Sequence, residues 1–320
     1  MKNKKLKLGI LVMAAVTVFT ATAFAAGTTN EGYDTLKQII ADSERNEKMT
    51  NASLNGFFKI SDNGTVIAEM TGTAKANHDD KEEVSGNVKV SMQGKKQDLS
   101  FYHTGEEAYI ADQVNEKYYK LENIKSENKS KYRRHNGEEY SAHKMSKAEE
   151  NFLDYLMGDL KAQIELSQNS DGTKTITMDL NQNEIPVALN LLTAVAASHK
   201  DSDNYGGLEK DNSHNQVVFE KLPFMKDFCE MNKDAIPVLR QDVKLTALVF
   251  KLNVASDNHI KGIEASVDVT GKDADGISHD ILFQSSVSVS DINKTKVDEF
   301  NQAGKNLEII NAEDLRCGRE

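Results

Sequence analysis

The sequence predicts an α+β protein built around one large antiparallel sheet that is interrupted by a few amphipathic helices. Two observations lead to this fold class. Segments in which apolar and polar residues alternate occur in both halves of the 320-residue chain, and turns such as Asp62-Asn63-Gly64 and Ser170-Asp171-Gly172 separate several of them. Other stretches carry apolar residues three, four and seven positions apart, which is typical of helices that pack on a sheet.

The first half of the chain predicts one helix followed by a meander of six strands. The helix covers Tyr33 to Lys48, where Leu36, Ile39 and Ile40 share one apolar stripe with Tyr33. The apolar period then changes to two, and short turns connect the segments. The predicted strands are Leu54–Ser61, Thr65–Ala76, Val84–Met92, Asp98–His103, Ala108–Ala111 and Lys117–Leu121.

The second half predicts three helices and five more strands, which makes about eleven strands in all. Ser146 and Glu149 form a capping box before one apolar helix, Asn183 caps a second helix over Ile185 to Ala197, and a short third helix covers Phe224 to Ala235. The predicted strands are Gln163–Gln168, Thr173–Leu180, Val243–Val254, Ile263–Thr270 and Ile281–Val289. Val243–Val254 is apolar on both faces for much of its length, which favours a central strand.

Residues 1–25 have the order of a secretory signal peptide: a lysine-rich tip, an apolar run from Leu8 to Phe19, and the small-x-small site Ala23-Phe24-Ala25. No cysteine stands directly after the apolar run, which argues against a lipid-modified N-terminus. We therefore expect a soluble exported protein in the cell envelope or outside the cell. The alternative is that the segment stays attached as a membrane anchor.

Residues 26–320 are expected to form a single domain, interrupted by two polar loops at 122–145 and 199–215. The formal charge of −11 becomes −15 once the four lysines of residues 1–25 are removed. Such an acidic surface repels phosphate backbones, so nucleic acid is not an expected partner. No nucleophile elbow, phosphate-binding glycine loop or metal-ligand spacing is present, so we expect no enzyme activity, no cofactor and no metal.

Two further features of the sequence each admit two interpretations. Cys229 and Cys317 could form a disulfide in an oxidising compartment, or they could remain free thiols. The basic cluster formed by Lys129, Lys131, Arg133 and Arg134 could contact a polyanion or an acidic partner, or it could simply stay in solvent.

The order of the elements resembles the lipoprotein-carrier superfamily, which comprises the periplasmic lipoprotein carriers (LolA-like) and the mycobacterial lipid-binding lipoproteins. The resemblance depends on the leading helix Tyr33 to Lys48, the hairpin Leu54 to Ala76, and the helix Ile185 to Ala197 between hairpins. It implies a strongly curved half-barrel whose concave face is covered by helices and encloses an apolar cavity for acyl chains.

The expected function is therefore a non-enzymatic envelope protein, monomeric, that binds or carries a lipid-like ligand or a lipoprotein acyl chain. Helices that cover the sheet imperfectly leave a ligand cavity, whereas helices that pack closely leave an ordinary core. In the second case the protein is an envelope interaction or signalling module that binds a protein partner. The expected cavity lining is Leu156, Met157, Leu189, Leu192, Val267, Phe283 and Val287.

Overall fold

The computed structural model describes residues 31–45, 50–77, 83–104, 107–124, 158–198, 218–231 and 236–312. Within these ranges the helices with described bounds are α1 (Glu31–Arg45), α2 (Val187–Ser198) and α3 (Pro223–Met231), with a 3₁₀ turn at Asp159–Gln163. Residues 218–221 are also helical. The strands are β1 (Asn51–Asp62), β2 (Thr65–Asn77), β3 (Glu83–Met92), β4 (Lys95–Thr104), β5 (Glu107–Asp112), β6 (Lys117–Glu122), β7 (Ile164–Gln168), β8 (Lys174–Asn181), β9 (Gln241–Val254), β10 (Ile260–Lys272), β11 (Ser278–Ser290) and β12 (Leu307–Asn311).

All twelve strands belong to one open sheet with the order β12-β6-β5-β4-β3-β2-β1-β11-β10-β9-β8-β7. Strands β1 to β6 form one antiparallel meander, which we call the N-terminal meander, and β7 to β11 form another, the C-terminal meander. The two meanders meet where β1 pairs antiparallel with β11, from Ser53 opposite Ser290 to Asp62 opposite Ile281. One sheet therefore has two chain-local halves joined by a single long-range pairing.

The eleven predicted strands are all present, but the predicted number is too low by one. The additional strand, β12, pairs parallel with β6, with Leu307 opposite Tyr118. Five residues without clear alternation give no strand signal, and the pairing partner lies far away in the sequence. Strand β12 therefore depends on the path of the chain that precedes it.

That path is a strap, residues 291–306, which crosses the face of the sheet opposite the helices. Thr295 donates its backbone N–H to Asn51 Oδ1 at 2.8 Å, and its hydroxyl lies 2.9 Å from that of Ser53. Further along, the strap forms an ion pair with the N-terminal meander through Lys75 Nζ and Asp298 Oδ1 at 2.7 Å. The strap thus carries the chain from the centre of the sheet to its β6 edge.

The leading helix and the two later helices are confirmed, and each starts one or two residues from its predicted start. Helix α2 begins at Val187, directly after Pro186, so Asn183 is not its N-cap. Asn183 lies instead in a turn, where its backbone N–H donates to Asn181 Oδ1 at 3.0 Å. The predicted helix after Ser146 and most of the two polar loops lie outside the described residues, apart from Leu160, which is in the 3₁₀ turn.

The main core lies where α1 and α2 pack on the C-terminal meander. Tyr33, Leu36 and Ile39 of α1 join one buried cluster with residues of β8 and β9 such as Ile176 and Leu252. We call this side of the sheet the inner face and the side under the strap the outer face. None of the helices in the described part of the chain combines the length and the apolar character needed to cross a membrane.

Candidate functional site

The inner face of the central strands is almost entirely apolar. Because side chains alternate between faces, residues that pair in register lie in rows that run across the strands. From β11 to β3, the three central rows are Ser285, Phe58, Met70 and Val90; Val287, Gly56, Gly72 and Val88; and Val289, Leu54, Ala74 and Gly86. Ser285 is the single polar side chain among these positions, and none of them carries a charge.

The glycine pair Gly56 and Gly72, which face each other across β1 and β2, leaves a gap between the side chains of this surface. Among the described residues, a Cβ atom at Gly56 would have only the carbonyl oxygen of Gly72 within 4 Å, at 4.0 Å, whereas one at Gly72 would lie 3.2 Å from the carbonyl oxygen of Asn87. The side chains around the pair are large and unusually exposed for one face of a sheet: Leu54 is 39% exposed, Met70 40% and Val287 39%. We call these five residues the glycine depression.

The glycine depression lies between two separate hydrophobic clusters. The larger cluster, under α1 and α2, extends across the sheet as far as Ile60 of β1 and Ala68 of β2. The smaller cluster packs Leu222 and Phe224, at the start of α3, against β6 and β12. Within it the Tyr119 and Phe224 rings are 5.8 Å apart, and burial raises the pKa of Tyr119 to about 12. Among the helices that the structure describes, cover is thus concentrated at the two ends of the inner face.

The structure places the predicted lining residues in three situations. Leu189, Val267 and Phe283 pack against the larger cluster, and Val267 and Phe283 are direct register partners. Val287 lies at the edge of the glycine depression. Leu192 belongs to α2, but its side chain is outside the described part of the chain, as are Leu156 and Met157 entirely. The lining set as a whole therefore stays a prediction.

The sequence interpretation missed four residues of the depression: Leu54, Gly56, Met70 and Gly72. A signal for them did exist, because glycines in the middle of alternating strands often mark a bend or a site where another group approaches the backbone closely. The alternation showed that the strands pair, but it did not show that the two glycines face each other. That fact follows only from the β1–β2 register.

The other predicted sites lie where the structure gives no side-chain information. The basic cluster of Lys129, Lys131, Arg133 and Arg134 and the cysteine Cys317 are outside the described residues, and Cys229 is in α3 with its side chain undescribed. The disulfide and the polyanion contact therefore remain predictions.

One histidine and two aspartates form a cluster at one end of the inner face, where the two meanders meet. His279 of β11 places Nδ1 2.9 Å from Asp62 Oδ2 of β1 and Nε2 3.5 Å from Asp273 Oδ2 of the β10–β11 turn. The hydrogen bond to Asp62, and secondarily Asp273, raises the pKa of His279. The pKa of Asp273 is below its usual value, mainly because the backbone N–H of Ile277 donates a hydrogen bond to its carboxylate. The arrangement favours an imidazolium that donates a hydrogen bond from Nδ1 to Asp62 and forms an ion pair with Asp273 through Nε2.

A second acidic pair, Asp268 and Asp280, lies on the outer face of β10 and β11. Burial, with the neighbouring Asp280 carboxyl, raises the pKa of Asp268 to about 6. Because this pair is on the opposite side of the sheet, it does not contribute to the glycine depression. Within the described residues, no group of three or more His, Cys, Asp or Glu side chains is arranged to hold a metal ion.

No protein-family model matches the chain, and no curated protein matches it significantly. Among solved structures, it is similar to LprF from Mycobacterium bovis, with 12% identity, 84% of this chain and 97% of that chain covered, and a TM-score of 0.31. A DUF1329 family protein from Desulfovibrio piger is 7% identical, with 87% and 97% covered and a TM-score of 0.20. The bifunctional dehydratase-cyclase domain of ambruticin biosynthesis is 13% identical, with 80% of each chain covered and a TM-score of 0.12. At these values, none of the three neighbours indicates a function for this chain.

Proposed function

We propose that this protein is a non-enzymatic, exported envelope protein that binds a lipid-like ligand on the inner face of its sheet. The observation that carries the proposal is the glycine depression. Its three large apolar side chains are each about two-fifths exposed, around a floor that has no side chains. Exposed apolar surface of this kind is typical of sites that bind apolar ligands or partners.

The proposal includes a curved sheet whose concave side is the inner face. Open sheets of more than about ten strands curl as strand twist accumulates, and this sheet has twelve strands. Helices α1 and α2 would then cover one end of the concavity, and the start of α3 the other end. A ligand chain would lie between them, over Gly56 and Gly72. An acyl chain suits this surface because the surrounding positions are uncharged.

The proposed location is extracytoplasmic, and the support for it is the signal-peptide order of residues 1–25. The proposed protein acts as a monomer, with a free lipid or the acyl chain of a lipoprotein as its partner. No nucleic acid is proposed, because the formal charge of −11 opposes binding to a phosphate backbone.

The test is to extract purified protein with organic solvent, identify co-purified lipid by mass spectrometry, and titrate the protein with a fluorescent fatty acid. We expect saturable binding by the wild type. Gly56→Leu should reduce it at least tenfold, because the new side chain occupies the depression. The matched control Asn55→Leu changes the adjacent, exposed residue on the opposite face and should bind like the wild type.

Absence of co-purified lipid together with absence of saturable binding by the wild type would overturn the proposal. In that case the alternative, an envelope interaction module that binds a protein partner, would become the better interpretation. Equal binding by wild type and Gly56→Leu would show that a ligand binds elsewhere, and it would remove the glycine depression as the site.

A further inference from the structure

Gln97 is a buried polar residue on the inner face near the glycine depression, and its neighbours on that face are Val90, Leu99, Lys95 and the buried Asp112. Its side chain is 4% exposed, and its Nε2 atom has no hydrogen-bond partner. It faces inward, since it pairs in register with Val90, and Val90 pairs with Met70 on the same face. A buried donor without a partner costs about 1–3 kcal/mol, so an amide at this position calls for an explanation.

The position of Gln97 relative to the depression supplies that explanation. The row that contains the glycine pair continues from Val88 to Leu99 on β4, and Leu99 is two residues from Gln97 on the same face. Gln97 is also two strands from Met70, a separation of about 10 Å at a strand spacing of about 4.8 Å. A chain lying over Gly56 and Gly72 and directed toward β4 would bring the group at its end near this amide.

We propose that the ligand carries a neutral hydrogen-bond acceptor next to its apolar chain, such as an ester or amide carbonyl, and that Gln97 Nε2 donates to it. This inference rests on the proposed function. A neutral acceptor suits the amide better than an anionic headgroup, because the row of the glycine pair continues through Leu99 to the buried carboxyl group of Asp112, which would oppose a negative charge. The chain would provide most of the affinity, and the amide would select ligands that have the acceptor.

The test compares two probes of the same chain length, methyl laurate and dodecane, as competitors of a fluorescent apolar dye bound to the purified protein. The wild type should bind methyl laurate about tenfold more tightly than dodecane, the ratio expected for one hydrogen bond to a buried donor. In Gln97→Met this preference should fall to about one, while the affinity for dodecane stays the same. Gln284→Met, on the outer face of β11, is the matched control and should keep the wild-type preference.

The outcomes separate this inference from the proposed function. If the dye does not bind to the protein and neither probe competes with it, the proposed function is wrong. If both probes bind the wild type equally, or if Gln97→Met keeps the preference, the acceptor inference is wrong and the apolar site remains. Gln97→Leu provides a second variant should the Met substitution impair folding. Both replacements remove an unpartnered polar group, so neither should lower stability.

Discussion

The N-terminal and C-terminal meanders have the same alternating sequence pattern but very different inner faces. In the C-terminal meander, Ile176, Leu252 and their neighbours are almost completely buried under α1 and α2. In the N-terminal meander, Leu54 and Met70 occupy equivalent inward positions and remain about two-fifths exposed. Alternation therefore determines which side chains share a face, whereas the helices packed on that face determine whether it becomes a core.

Glycine placement is the second difference between the meanders. Gly56, Gly72 and Gly86 lie on neighbouring strands in the central part of the N-terminal meander, facing inward. Their environments are not alike. Gly56 faces open space, whereas a Cβ atom at Gly86 would collide with the Phe101 ring and with the carbonyl oxygen of Thr73. One glycine leaves room above the sheet, and the other lets an aromatic ring pack on it.

The largest expected effect tests the difference in burial directly. Leu252→Ala should lower the free energy of unfolding by about 2–5 kcal/mol, because it leaves a cavity in a packed cluster. Leu54→Ala, the same change in the N-terminal meander, should cost less than about 1 kcal/mol, because that side chain is partly hydrated already. Urea unfolding followed by circular dichroism measures both values. Equal costs would mean that both inner faces are equally covered, and the contrast between the meanders would be wrong.

An intermediate effect separates the two kinds of inward glycine. Gly86→Ala should destabilise the protein by about 1–3 kcal/mol, because the new methyl group overlaps Phe101 and a backbone oxygen. Gly56→Ala should be neutral or stabilising by up to about 1 kcal/mol, since the site has space and alanine lowers the entropy of the unfolded chain. Thermal melts of the two variants beside the wild type give the sign. A destabilised Gly56→Ala variant would show that something already occupies the depression.

The smallest expected effect concerns the junction of the two meanders. Because its native pKa is raised, His279 contributes stability that is fully present below its unfolded pKa of about 6.5 and is lost as pH rises through the native value. The wild type should therefore lose stability between pH 5.5 and pH 9 by more than His279→Gln does. Melting temperatures measured across this range test the difference.

Asp62→Asn is the matched variant for that measurement, because it removes the main cause of the shift and leaves the imidazole in place. It should flatten the pH dependence in the same direction as His279→Gln. A pH dependence that persists unchanged in both variants would contradict an ionic contact between β1 and β11.

Much of the fold could be predicted from local patterns. Short stretches of sequence are enough to indicate the eleven strands of the two meanders and the apolar stripe of α1. What could not be predicted is long-range. The β1–β11 pairing joins residues more than 200 positions apart, and β12 reaches β6 only through the strap. The candidate site was predicted only in part. Val287 lies at the depression, but Gly56 and Met70 came from the register.

By itself, the sequence determined the class of fold, the position of each strand in the two meanders and the largely apolar character of one face. Alternation and turn chemistry act over a few residues, so these features can be identified without the rest of the chain. Only the tertiary structure decided that Gly56 and Gly72 face each other and that the Nε2 atom of Gln97 is buried without a hydrogen-bond partner. Those facts depend on strand register and on where helices pack, and both are set by contacts between residues far apart in the sequence.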